Sequence, residues 1–380
     1  MTTRRLAITS TLAWAASSVG YPATAQTDST IVLGQSAPLT GPAAQLGIQF
    51  RDGAKLYFNQ VNAKGGINGR TIELRTLDDG YEPEKTAANT KKFLSDAVFA
   101  LFGYVGTPTS LAALPLATEA KTPFFAPFTG AQVLREPLNR YSIHVRASYF
   151  DETAAIVKQA SAVGIKKFSV FYQNDAYGKA GLEGVDRALK ALNLPMTSLA
   201  TVERNSVDVK KAVSEILAKQ PESIVQISAY KSCAAFIREA RKAGFGGTFY
   251  NVSFVGTQAL MTELGKEARG VVVSQVMPFP YSAATVISGE YLEALKSAST
   301  VSNDLTANYS SMEGYVAAKV FTEALRRAGR GASREAFISA IEGMQNYQMG
   351  GFGVNFSPTS HAGSRYVDLS VLTDDGRVRH

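Results

Sequence analysis

The sequence is poor in the residues that usually announce chemistry. Its 380 residues include one cysteine, one tryptophan and three histidines. A lone cysteine forms no intrachain disulfide, so stability must come from a large buried core, whatever the redox compartment. Cys233 sits in "YKSCAAFIREA" at helical spacing with Phe236 and Ile237, which reads as a small packed residue rather than a nucleophile. His144, His361 and His380 have no ligand spacing to a cysteine or to one another, so no metal site is legible and no cofactor is expected. No G-x-S-x-G elbow, Walker lysine or G-x-G-x-x-G is present. Asp78-Asp79 is a carboxylate pair, but adjacent strand residues point to opposite faces, so it reads as a strand-end loop. With no catalytic constellation, an enzyme is not expected.

Strong charge and long apolar runs are missing too. The formal charge is +7, and the surplus is spread over isolated pairs such as Lys91-Lys92, Lys166-Lys167, Lys210-Lys211 and Arg326-Arg327. A nucleic-acid footprint needs basic residues clustered with stacking aromatics, and there is no such cluster. The opening segment "MTTRRLAITSTLAWAASSVGYPATA" carries Arg4-Arg5, an apolar stretch and then Ala23-Thr24-Ala25, a small-x-small cleavage pattern. Its roughly 14 apolar residues fall short of the ~20 that span a bilayer. Residues 1–25 therefore read as a signal peptide, placing the mature chain outside the cytoplasm. With no cysteine near the cut, a lipid-anchored amino terminus is not expected.

What is present is alternation: short β-rich runs followed by amphipathic segments, the signature of parallel sheets covered by helices. "TIVLGQSAP" is the first strand. Leu46, Phe50, Ala54, Tyr57 and Val61 then repeat on one face of a helix over 42–63. "KGGINGR" is a tight turn before "TIELRTLDD", and Pro83 opens the next helix. A second array begins at "DETAAIVKQASAVG", with Asp151 expected as N-cap and Gly164 as C-cap. Late helices return to the first array, and "RYVDLSVLTDDGR" reads as one closing hairpin arm.

"APLTGPAAQLGIQFRDGAKLYFNQVNAKGGINGRTIELRTLDDGYEPEKTAANTKKFL" resembles the opening of the branched-chain amino-acid-binding (Leu/Ile/Val-binding) family, the type I extracytoplasmic solute-binding proteins of ABC importers. "VFYQNDAYGKAGLEG", "FIREARKAGF", "GKEARGVVVSQVMP" and "EGYVAAKVFTEALRRAG" extend the resemblance over the whole mature chain. It implies an α/β fold of two doubly wound lobes, each with a parallel central sheet, joined by three crossover strands. The crossovers map near 146–147, 275–277 and 364–365. Lobe 1 is then 28–146 plus 277–364, and lobe 2 is 147–276 plus 365–380. The implied role is a periplasmic, monomeric protein that captures a small molecule in the cleft and delivers it to a membrane permease. A ligand-sensing receptor component of the same fold is the alternative.

Ligands of open α/β sheets lie off the carboxyl ends of strands, against helix amino termini. In "LFGYVGTPTSLA", Gly103 and Gly106 allow a sharp turn, Pro108 suits the first helical position, and Thr107 suits the N-cap before it. No lysine accompanies the loop, so it is no phosphate cradle; two readings stand, a plain helix cap or an anion-gripping corner. The resemblance gives the hydroxyl at Thr107 to the ligand carboxylate. It gives Phe128, Thr129 and Gly130 of "APFTGA" to the ligand as well, with Phe128 also readable as core. It places Tyr177 in "NDAYG" over the ligand, and Tyr230 or its neighbour Ala229 at a second such position. Leu46 replaces a cleft-lining aromatic. Tyr315 matches another aromatic, although it also reads as helix packing. The main departure is at Ser253, where amino-acid-binding members have a glutamate for the ligand's ammonium group. No acid occurs from Gly244 to Thr262. Either Asp175 or Glu313 substitutes, or the ligand has no α-ammonium and is another small carboxylate-bearing or aromatic solute.

Overall fold

The computed structural model describes residues 29–299 and 306–380; the expected signal peptide lies outside the described residues. The strands form two main sheets. In the first, β1 (Thr30–Ala37), β2 (Thr71–Asp78), β3 (Ala100–Phe102), β4 (Phe124–Phe125) and β5 (Ser142–Ile143) run parallel in the order β2-β1-β3-β4-β5. Their connecting helices are α1 (Ala44–Ala63), α2 (Pro83–Ser95) and α3 (Thr107–Glu119).

The second array runs α4 (Tyr149–Ala162), β6 (Phe168–Gln173), α5 (Ala176–Ala191), β7 (Met196–Val202), α6 (Lys210–Leu217) and β8 (Ser223–Ile227). It continues with α7 (Tyr230–Lys242), β9 (Thr248–Asn251), α8 (Thr257–Leu264) and β10 (Val272–Gln275). Then come α9 (Val286–Ser299), α10 (Tyr309–Ala328), α11 (Arg334–Glu342), β11 (Tyr347–Gln348), β12 (Gly353–Val354), β13 (Asp368–Leu372) and β14 (Val378–Arg379). The second sheet has the order β14-β13-β10-β9-β8-β6-β7, parallel from β10 to β7. The tail contributes more than one arm: β13 pairs antiparallel with both β10 and β14.

The two lobes follow from this path. The chain passes between the sheets at 144–148, again after β10, and again before β13. Between the last two passes, α10 packs on α1 in the first lobe so closely that neither helix tolerates a side chain at the crossing. A Cβ on Gly53 would lie 1.8 Å from the Ser311 carbonyl oxygen, and one on Gly314 2.0 Å from that of Phe50. The crossing positions α10 over the cleft end of the lobe. Behind it Phe102, Phe125, Phe321 and Phe337 pack at ring separations of 4.7–6.0 Å. Rings this deeply buried typically cost about 3–5 kcal/mol each when cut to alanine.

The starts of α1 and α4 differ from the sequence expectation. α1 begins at Ala44 rather than 42, and α4 begins at Tyr149, with Ser148 rather than Asp151 as N-cap. The Ser148 hydroxyl accepts from the Asp151 N–H at 3.1 Å, and the Asp151 carboxylate accepts from the Ser148 N–H at 3.0 Å. This reciprocal capping box satisfies two amides that the helix leaves unpaired, so it moves the start three residues upstream. Val163 is the C-cap, with the left-handed Gly164 following it.

Candidate functional site

The corner at the end of β3 is built by main-chain pairing between two loops. The Phe128 N–H donates to the Tyr104 carbonyl at 2.7 Å, and the Gly106 N–H donates back to the Phe128 carbonyl at 3.2 Å. Gly106, at φ 101°, is the N-cap of α3, and Thr107 is its first helical residue. The expected capping role of Thr107 is therefore corrected by one residue, because only glycine adopts that positive φ without strain. The shift releases the Thr107 hydroxyl from capping. It lies 2.6 Å from the Thr129 hydroxyl, which in turn donates to the Tyr149 hydroxyl at 3.2 Å. The Gly130 carbonyl accepts from the Tyr149 N–H at 2.7 Å, tying this cluster to the first crossover. Three hydroxyls thus meet at a helix amino terminus, where the macrodipole favours an anion.

The opposite lobe closes this corner with rings. Tyr177 packs on Phe254 at 4.6 Å and on Tyr149 at 5.5 Å, and its buried hydroxyl has no hydrogen-bond partner. Phe254 also meets Phe128 at 5.6 Å and Tyr81 at 5.9 Å across the lobes. Tyr81, Tyr149 and Phe254 are buried members of the cluster that the sequence reading did not single out. Asp175 is engaged elsewhere, accepting from the Tyr177 N–H as N-cap of α5 and pairing with Arg204 at 3.4 Å.

Leu46 and Tyr230 also face across the cleft. A Cβ on Gly256 at the start of α8 would lie 2.4 Å from the Leu46 methyl, and the Tyr230 hydroxyl approaches the main chain of Gln45. Tyr315 sits apart. Its ring packs on Tyr57 at 5.0 Å and Tyr291 at 5.5 Å, with its hydroxyl toward Gln60, so in this structure it is a packing residue of the α1–α10 interface. The helical period puts Glu313, two residues earlier, on the cleft face instead.

The charged centre of the cleft is Arg146, at 1% exposure. Its Nη2 donates to the Ser253 hydroxyl and lies 3.3 Å from Glu152; its Nη1 is 3.5 Å from Glu313, and the guanidinium carbon is 4.9 Å from the centre of the Phe128 ring. Nε and Nη1 make no hydrogen bond. Glu152 is fixed from three sides, by the Ser253 N–H at 2.7 Å, the Ser253 hydroxyl at 3.0 Å and the Ser274 hydroxyl at 2.6 Å. Burial, partly offset by Arg146, pushes Glu313 up to about 7. Burial alone pulls the Arg146 guanidinium down, but Glu313 and Glu152 more than restore it. Arg146 and Glu152 were passed over as a crossover and a helix turn. The opposite charges of Arg146 and Glu152, six residues apart in "HVRASYFDET" beside the crossover, were the available signal.

Polar contacts at the rim complete the closed arrangement. Arg204 donates to Glu82 at 3.0 Å, Asn205 donates to Glu82 at 2.8 Å and to the Gly80 carbonyl at 3.2 Å, and Gln173 donates to the Tyr81 hydroxyl at 3.3 Å. Among the described residues, no group of histidine, cysteine and carboxylate side chains is arranged to hold a metal ion, and no helix is long and apolar enough to cross a membrane.

The sequence profile described as periplasmic binding protein matches residues 30–377. Leu/Ile/Val-binding protein homolog 3 of Brucella melitensis biotype 1 is 23% identical over 378 residues, covering 98% of each chain. An amino acid binding protein of Pseudomonas aeruginosa is 26% identical over 251 residues, 64% of this chain and 66% of that protein. A possible leucine/isoleucine/valine-binding protein from Rhodopirellula baltica SH 1 has a TM-score of 0.88 at 33% identity, over 94% of this chain and 98% of that one. The substrate-binding periplasmic protein of Ralstonia solanacearum has a TM-score of 0.85 at 33% identity, over 92% and 99% of the two chains. Profile, fold and full-length relatives agree, and the chain belongs to the periplasmic binding protein family, whose members bind solutes rather than convert them.

Proposed function

We propose that this protein captures a small carboxylate-bearing solute without an α-ammonium group between its lobes and delivers it to the permease of an ABC importer. The observation that carries the reading is Arg146. A buried guanidinium occupies the place beside Ser253 where an amino-acid ligand needs a carboxylate. Both acids within reach, Glu152 and Glu313, are already paired to it. Bringing an ammonium group there would set two cations against each other in a site from which water is excluded. The ligand carboxylate goes to Thr107, Thr129 and the amino terminus of α3. Its body lies among Tyr81, Phe128, Tyr149, Tyr177 and Phe254, which favour a flat or branched apolar group. The open N–H groups of Arg146 then take an acceptor at the far end, such as a keto or second acidic oxygen.

The two-lobed geometry supports delivery. A ligand that touches both lobes stabilises the closed form, and a permease that distinguishes closed from open receives only loaded protein. The mature protein is read as a periplasmic monomer released from the signal peptide at 1–25. The relatives' names favour a second reading, a branched-chain amino acid whose ammonium group displaces Arg146 from Glu313. A thermal-shift screen separates the two. Keto, aromatic and dicarboxylic acids are expected to raise the melting temperature and free amino acids are not; stabilisation by amino acids alone would refute the first reading.

A further inference from the structure

A cavity of about 380 Å³ lies beside the crossovers, away from the hydroxyl and aromatic cluster of the cleft. Its walls come from three sources. Gln132 and Arg135 belong to the first lobe, Asp151 and Arg187 to the second, and Ser364 and Arg365 to the chain re-entering β13. His144 and His361 line it as well, joined through the main chain by the His144 N–H donating to the His361 carbonyl at 2.9 Å.

The polar groups of this lining are incompletely used, although the cavity is well built. Arg135 is 8% exposed; its Nη2 donates to the Arg146 and Ala147 carbonyls at 3.1 and 3.2 Å, while its Nε–H has no acceptor. The His144 Nε2 lies 2.9 Å from the Ser142 hydroxyl and 3.0 Å from the Leu134 carbonyl, and its buried Nδ1 has no hydrogen-bond partner. His361, 3% exposed, points Nε2 at Glu342 and likewise leaves Nδ1 unpaired. Three buried polar atoms in residues that line this two-lobed cavity therefore lack partners, which folded proteins rarely leave so. The charge balance is positive: Arg135, Arg187 and Arg365 against Glu136 and Asp151. Asp151 is already held by the α4 cap and by Arg365 at 2.9 Å, and Arg187 is laid over the Phe150 ring at 4.5 Å.

We propose that this cavity is a second ligand site, for a small oxyanion that also carries hydroxyl groups. Its acidic oxygens, carboxylate or phosphate, accept from Arg135 Nε and from the two rim guanidiniums. Its hydroxyls exchange hydrogen bonds with the unpartnered imidazole Nδ1 atoms. Because the walls belong to both lobes and Arg135 grips the crossover that carries Arg146, occupancy favours the closed arrangement. By linkage the cleft ligand then strengthens oxyanion binding by the same factor.

The test is calorimetric titration of the mature protein with citrate and with inorganic phosphate, against chloride at matched ionic strength. Citrate or phosphate is expected to bind with a Kd below about 1 mM, and whichever binds names the acidic group. Both Arg187→Gln/Arg365→Gln, two rim changes outside the core, and Gln132→Glu, which adds a like charge, are expected to weaken binding tenfold or more. Absence of saturable binding by either anion, or binding retained in either variant, overturns the proposal. Binding that disappears in Thr107→Ala places the anion in the cleft and overturns it equally.

Discussion

Replacing Arg146 with methionine removes a buried charge while keeping most of its stem, and the structure says how the two carboxylates respond. Glu152 keeps three donors, two from Ser253 and one from Ser274. Glu313 loses the guanidinium 3.5 Å away, having already been raised from 4.5 to about 7 by burial with that cation present. A carboxyl raised on folding has the opposite sign from a salt-bridged surface acid. The native state binds the extra proton, so stability falls as pH rises from about 4.5 to about 7 and levels off above that. Without Arg146 the native pKa moves higher and the fall continues. At about pH 7 the wild-type group is half protonated, so the added penalty is only about 0.4 kcal/mol; by about pH 8.5 it reaches up to about 2 kcal/mol at 1.36 kcal/mol per unit. A further part, about 3–5 kcal/mol when a buried pair is broken, belongs to Glu152. Urea unfolding of R146M, E313Q and the double variant at both pH values measures these parts. The R146M penalty should grow with pH in the wild-type background and stay flat in the E313Q background. A penalty that does not change with pH, or one that still changes without Glu313, would refute the assignment of Glu313 as the carboxylate that depends on Arg146.

Thr107→Ala should weaken a carboxylate ligand tenfold or more, about 1.5–3 kcal/mol for a hydrogen bond to a charged group; unchanged affinity by calorimetry with the fold intact removes Thr107 from the site. Gly106→Ala puts a Cβ 2.2 Å from the Tyr81 ring at a φ of 101°. It should cost about 2 kcal/mol or more in denaturant unfolding, and a change within about 0.5 kcal/mol would mean the corner relaxes freely. Cys233 is fully buried and burial pushes its thiol pKa up, so a colourimetric disulfide reagent should react only after denaturation. Rapid labelling of the native protein would contradict the packing described for α7.

The sequence by itself determined the alternating strand–helix arrays of an α/β fold, because periodicity and turn residues are local properties of the chain, while the division into two lobes came from its resemblance to a known family. Leu46, Phe50 and Ala54 mark the buried face of α1 wherever that helix packs, and Pro83 opens α2 for reasons contained in its own ring. The corner at Thr107 was legible for the same reason, with its cap misplaced by one residue since the φ of Gly106 is set by pairing to the Phe128 loop. Tertiary structure alone decided which distant groups share the cleft. Arg146 and Ser253 are 107 residues apart, and Glu313 is farther still along the chain. No local pattern links them, since a crossover residue, a residue after β9 and a turn of α10 meet only when the lobes close. Tyr315 shows the same limit from the other side. A helical apolar face does not reveal which of its residues look into the cleft. The crossing of α1 and α10 at Gly53 and Gly314 turns Tyr315 toward Tyr57 and leaves Glu313 facing Arg146.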